Sequence, residues 1–236
     1  MLVAHETAPV RELPPIAPID SWTDAEGRTI YDFGQNIGGY VRYTVRGAAG
    51  AEIRVEHSEV LGPGRHFDNR NYRTAEAHTI YTLGGDGEQT YAPHFSFQGF
   101  RYARVTATGE ARILAISSVP ISSVPNPTGG FQSGNALVNR LVQNTIWSQR
   151  ANFIEVPTDC PQRDERLGWT GDAQVFAATA CWLTDSQTFF RKYLRDVMAD
   201  QREDGAIPTF RPTRHACIRR TFRDLPVRPA GATPSS

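Results

Sequence analysis

The chain has 236 residues, and its 25 basic and 25 acidic side chains cancel to a formal net charge of zero. Hydrophobic residues make up 39% and charged residues 21%, a globular composition that excludes a fully disordered chain. The missing basic excess argues against nucleic acid as a partner, and no run of about 18 apolar residues is present to cross a membrane.

Residues 1–25 carry Pro9, Pro14, Pro15 and Pro18, which forbid a regular helix or central strand and predict an extended lead-in. The first six residues hold neither a basic nor an apolar signal region, so the cytoplasm is the default compartment. Three cysteines, Cys160, Cys181 and Cys217, are too few and too scattered for a disulfide framework or a zinc motif.

Residues 26–124 read as strands. Arg28 to Phe33, closed by Gly34, and Tyr40 to Val45 are two short β-branched and aromatic runs. Glu52 to His57 alternates polar and apolar, the pattern of a strand with one wet face. His78 to Leu83, Tyr91 to Phe97, Phe100 to Val105 and Ala111 to Ile116 complete the set, while Gly62 to Tyr72 lacks a period and predicts a long surface loop. Short strands with Gly-rich turns between them predict an antiparallel β-sandwich. His57, His66, His78 and His94 are too dispersed for a metal site, and no metal or other cofactor is expected. Gly34, Gly38 and Gly39 do not form a dinucleotide fingerprint, because no helix follows them.

Pro120, Pro125 and Pro127 mark a boundary, and residues 125–213 change period. Leu137, Leu141 and Thr145 follow helical spacing. A second helix carries Val175, Phe176, Thr179 and Leu183, with Asp172 as its expected cap. A third carries Phe190, Leu194 and Val197, with Asp185 as its expected cap. Three helices without further partners leave apolar faces exposed. Residues 214–236, basic and without period, predict an irregular tail.

Between the first two helices lies Pro157-Thr158-Asp159-Cys160-Pro161-Gln162-Arg163-Asp164-Glu165-Arg166-Leu167-Gly168-Trp169-Thr170-Gly171-Asp172. Four carboxylates, two arginines and an indole share one non-periodic segment, the kind of long loop that carries function. Glycoside hydrolysis needs one protonated carboxyl for the leaving oxygen and a second carboxylate for water or carbon. Glu165 suits the first role. A nearby indole and the carboxylates of Asp159, Asp164 and Asp172 favour its protonated form, while Arg163 and Arg166 oppose it. The bland alternative is a solvated ion-pair loop, with Asp172 only a cap and Asp164 paired to Arg166. Cys160 lacks a histidine neighbour and reads as a packed residue rather than a nucleophile.

This loop, with Asn152 to Val156 before it, resembles the signature of the bacterial α-L-rhamnosidases, the inverting enzymes of glycoside hydrolase family 78. Tyr31-Asp32-Phe33-Gly34-Gln35-Asn36, His57-Ser58-Glu59-Val60-Leu61 and Phe97-Gln98-Gly99-Phe100-Arg101-Tyr102 resemble three further blocks of that family, in the same order. The resemblance implies a concanavalin-like β-sandwich followed by the first helices of an (α/α)6 barrel. It implies that Glu165 is the general acid and that Asp159, Arg163, Trp169 and Asp172 contact rhamnose. It places the general base on a later helix that this sequence does not contain, so the chain by itself is expected to be inactive. The implied partner is a rhamnose-containing glycoside or polysaccharide. In the family block His57 and Glu59 share a strand face and read as a polar pair. A second reading is a non-catalytic carbohydrate-binding module in which the sandwich is the working unit.

Overall fold

A computed structural model describes residues 5, 7–211 and 225–226. Its first half is one antiparallel sheet built from β1 (Arg11–Glu12), β2 (Asp20–Thr23), β3 (Thr29–Arg46), β4 (Glu52–Ser58), β7 (His78–Thr82), β8 (Glu88–Tyr91), β9 (Gln98–Ala107) and β10 (Arg112–Ser122). The order is β1-β10-β3-β9-β4-β7, with β2 and β8 also on β3. β5 (Val60–Gly62) and β6 (His66–Asp68) form a separate hairpin, so the expected loop over 62–72 is instead a hairpin followed by a single helical turn, Arg70–Tyr72. These elements are too short to leave a period in the sequence.

The strands expected at 28–33 and 40–45 are one strand, β3. Gly34 does not end it. With φ of +74°, a conformation glycine adopts without steric cost, it bulges the strand, and the register with β9 shifts between Asp32 and Ile37. The Asp32 carboxylate pins the bulge by accepting the Gly34 amide at 2.7 Å. Before the bulge β3 pairs with β2 and β9; beyond it β3 keeps β9 as far as Gly39 and pairs with β10 and β8. A single sheet thus curls over itself and supplies both layers of the sandwich. Phe33, Val41 and Tyr43 of β3 meet Ile53 and Val55 of β4 and Phe100 of β9 between them.

His57 belongs to this core. It is 1% exposed, its Nδ1 lies 2.9 Å from the Ala77 carbonyl, and its ring stands edge-on to Phe100. Glu59 instead accepts from Asn36 and Asn71. The two therefore have separate partners and are not the polar pair expected from the sequence. Burial pushes the His57 imidazole down from its ordinary value near 6.5 to about 4. The unfolded chain then binds a proton that the folded chain refuses, so stability present above pH 6.5 is lost as pH falls toward 4. The loss is roughly 3 kcal/mol in full. The urea midpoint should fall between pH 7 and pH 5, and His57→Gln should flatten most of that slope. An unaltered slope in the variant would assign the acid lability to other groups.

The second half holds α1 (Ala136–Asn152), α2 (Thr170–Leu183) and α3 (Gln187–Ala199). Asn135 caps α1, its side chain accepting the Leu137 amide at 2.9 Å. The two caps expected further on are both displaced. Trp169 precedes α2 and Asp172 sits in its first turn, where a carboxylate suits the positive end of the helix dipole. Ser186, not Asp185, precedes α3. Gln149 of α1 joins the helices below the surface, donating to Thr184 Oγ1 at 2.7 Å. Phe153 stacks on Phe189 at 4.5 Å. Outward, Leu137, Leu141, Val175, Trp182, Leu194 and Met198 are all exposed, as three unpartnered helices require. None of the described helices is long and apolar enough to cross a membrane. The tail expected over 214–236 falls outside the described residues, apart from Leu225–Pro226, which pair with Ala206–Ile207.

Candidate active site

Two glycines bring the halves together. A Cβ at Gly38 of β3 would lie 2.5 Å from the Ala151 carbonyl of α1, and one at Gly99 of β9 would lie 2.8 Å from Gln162 Cβ and 2.9 Å from its amide nitrogen. Only a residue without Cβ lets the loop between α1 and α2 rest on the sheet. Arg166 then anchors the loop, donating to the Phe97 carbonyl at 2.9 Å and Gln98 Oε1 at 2.7 Å. Its backbone is in the left-handed region at φ of 49°, a cost these bonds help to hold in place.

On this platform Arg163 gathers three acidic or soft groups. Its Nε lies 2.9 Å from both Glu165 Oε2 and Cys160 Sγ, and its terminal nitrogen lies 3.1 Å from Asp159 Oδ2. Arg73, from the sheet half, adds a second cation 3.3 Å from Glu165 Oε2. Asp164 accepts from Thr74, so it is not the partner of Arg166. Burial, and then the neighbouring charge of Glu165, raise the Asp159 carboxyl above the usual range despite Arg163. The ligand atoms of Asp159, Cys160 and Glu165 lie within 4.8 Å of one another, but the Arg163 guanidinium already touches all three and supplies the positive charge there.

Burial, followed by the Asp159 carboxylate that accepts its proton, pushes the Cys160 thiol up to about 12. Almost no thiolate exists at pH 8, so Cys160 should resist alkylation. Iodoacetamide at pH 8 followed by peptide mass mapping should label the exposed Cys181 well before Cys160. Equal labelling would refute the packed reading of this thiol.

Two cavities flank the loop. The first, about 480 Å³, lies between α1 and α2 and carries Asp159 and Asp172 on its wall. The second, about 500 Å³, lies between α1 and the sheet, and Asp159 also lines it. Glu165 lines neither; its side chain is 17% exposed and held by the two arginines. Trp169 stands on the two-residue strand before α2 with its ring against Phe210 at 5.1 Å. Of the five residues singled out from sequence, Asp159, Arg163 and Glu165 are thus in direct contact, Asp172 shares a cavity with Asp159, and Trp169 packs against the strand that closes the loop. Arg73 and Thr74 were not legible, since they come from the sheet half, about 90 residues away.

Residues 23–122 match the family model of the bacterial alpha-L-rhamnosidase concanavalin-like domain, and residues 126–223 match that of the bacterial alpha-L-rhamnosidase 6 hairpin glycosidase domain. The chain belongs to the bacterial α-L-rhamnosidase family. An alpha-L-rhamnosidase of Streptomyces avermitilis is 40% identical over 212 residues, which is 89% of this chain and 21% of that protein. One from Alteromonas sp. is 33% identical over 86% of this chain and 22% of its own length. The chain therefore spans about a fifth of the length of these rhamnosidases. Among solved structures, the Streptomyces avermitilis alpha-L-rhamnosidase complexed with L-rhamnose superposes with a TM-score of 0.84 at 40% identity, over 89% of this chain and 20% of that one. The rhamnosidase of Dictyoglumus thermophilum gives 0.82 at 37% identity, over 86% of this chain and 23% of that one. The concanavalin-like sheet followed by helices is the rhamnosidase arrangement of these two domains.

Proposed function

We propose that the chain supplies the acid side of an inverting α-L-rhamnosidase that removes terminal rhamnose from glycosides or polysaccharides. In this reading residues 26–124 form the sandwich domain and 125–213 the opening of the helical domain. The observation that carries the reading is the Asp159–Arg163–Glu165 cluster, whose Asp159 stands on the wall of a cavity that also holds Asp172. Two carboxylates on one wall, one of them paired to a guanidinium, are groups that sugar hydroxyls bind.

Glu165 protonates the leaving oxygen as the sugar gains oxocarbenium character. Asp159, Arg163, Trp169 and Asp172 hold the ring. A rhamnose hydroxyl that takes over one Arg163 hydrogen bond loosens the Arg163–Glu165 pair and frees the carboxyl to turn toward the glycosidic oxygen. A carboxylate on a further helix, about 6.5–9.5 Å away, activates water on the opposite ring face. No cofactor takes part.

The test is a chimera in which residues 7–211 replace the matching segment of the Streptomyces avermitilis relative. It should release rhamnose from a rhamnoside, with the β-anomer appearing first by proton NMR. The α-anomer first, or no release from a folded chimera, would contradict the reading. The carbohydrate-binding reading draws on the two arginines that hold Glu165, and it predicts sugar binding by the chimera without turnover.

A further inference from the structure

Three sequence blocks outside the acidic loop converge on one place. Gly34, Gln35 and Asn36 of the β3 bulge, Glu59 after β4 and Arg101 of β9 form the sheet wall of the second cavity, the crevice of about 500 Å³ beneath α1. Across it α1 presents Arg140, Asn144 and Trp147, at helical spacing and therefore on one face.

The sheet wall is preorganised. Asn36 donates to Glu59 Oε1 at 2.8 Å, and Arg101 forms a two-bond pair with Asp32 at 2.8 Å for each bond. The loop closes one end with Asp159 and Gln162. Asp159 Oδ1 and Gln162 Oε1 are buried acceptors with no hydrogen-bond donor among the described residues, an uncommon state for buried polar atoms unless a ligand or water completes them. Ser148, Asn152 and Asp159 line both cavities, so the two spaces meet at Asp159, which Arg163 joins to Glu165.

We propose that the crevice between the sheet bulge and α1 is the subsite for the leaving group of the substrate, and that it takes a second sugar ring rather than a flat aryl aglycone. The proposal rests on the rhamnosidase reading above. Its lining is mostly amide, carboxylate and guanidinium, with one indole, Trp147, and the small apolar groups of Ala151, Cys160 and Pro161. A hexose offers hydroxyl donors to the orphan acceptors and one apolar face to the indole. A flat aromatic ring would bury these polar groups without partners. The sandwich then recognises substrate directly, with Asp159 placed between the departing sugar and the rhamnose.

Saturation-transfer NMR on the 236-residue chain with a rhamnosyl-glucose disaccharide reads each ring separately. Saturation should reach the glucose ring, and Asn36→Ala or Asn144→Ala should lower it about three- to tenfold relative to the rhamnose ring, the effect of one lost hydrogen bond. Both side chains are exposed, so the variants should fold, which circular dichroism checks. No saturation on the glucose ring, equal signals in wild type and variants, or equal loss on both rings overturns the subsite. Failure of the rhamnosidase reading shows separately, in the turnover and anomer of the chimera.

Discussion

Glu165→Gln in the chimera should lower kcat on an alkyl rhamnoside about 10²–10⁴-fold, equivalent to roughly 3–5 kcal/mol of transition-state stabilisation, with KM changing only a few-fold. Glutamine keeps the shape of the side chain and an acceptor for Arg163 and Arg73, but it has no proton to give to an alkoxide. The substitution removes one charge from a site with two guanidiniums on the same oxygen. A stability readout must accompany the kinetics, because unpaired cations raise a separate cost. A Glu165→Gln chimera with unaltered melting and near-normal turnover would remove Glu165 from the acid role and leave Asp159, the carboxyl on both cavity walls, as the next candidate.

The second large effect comes from a residue that touches no sugar. Gly99→Ala places a methyl 2.8–3.0 Å from the Gln162 backbone and Cβ, inside normal contact distance, and neither side can yield freely. The strand is held in the sheet by its neighbours β3 and β4, and the Gly99 carbonyl accepts from the buried Tyr72 hydroxyl. The loop must therefore lift. Overpacking of this kind costs about 1–3 kcal/mol. Displacement of catalytic groups by about an ångström costs on the order of 100-fold in rate. Thermal melting and kcat/KM of the chimera measure both. A variant with wild-type values would show that the loop does not depend on its seat on β9.

Much of this site was legible in the sequence, because its chemistry is local. Asp159, Cys160, Arg163 and Glu165 lie within seven consecutive residues, so a loop that turns back on itself brings them into contact whatever surrounds it. The strand period likewise exposed the sheet, since Ile53, Val55 and His57 alternate toward the core. What failed to show were relations across the chain. Gly34 read as a stop because glycine ends many strands, yet the ladder partners of β3 on both sides carry the strand through a bulge. Asp172 and Asp185 read as caps because a carboxylate often ends a loop, yet the backbone enters the helices at Trp169 and Ser186. Arg73 carries no local signal at all; only the folding of the sheet half against the loop brings it to Glu165. Gly38 and Gly99 were visible as glycines, but their reason, the approach of another backbone, exists only in three dimensions.

The dependence of the Glu165→Gln defect on leaving-group acidity tests the central assignment most directly. Across a series of rhamnosides from nitrophenyl to alkyl, measured with wild-type and variant chimeras, the defect should be small for nitrophenyl, which departs without a proton. It should grow steadily as the leaving oxygen becomes more basic. A defect of the same size across the whole series would mean that Glu165 positions the sugar and that the proton comes from another group.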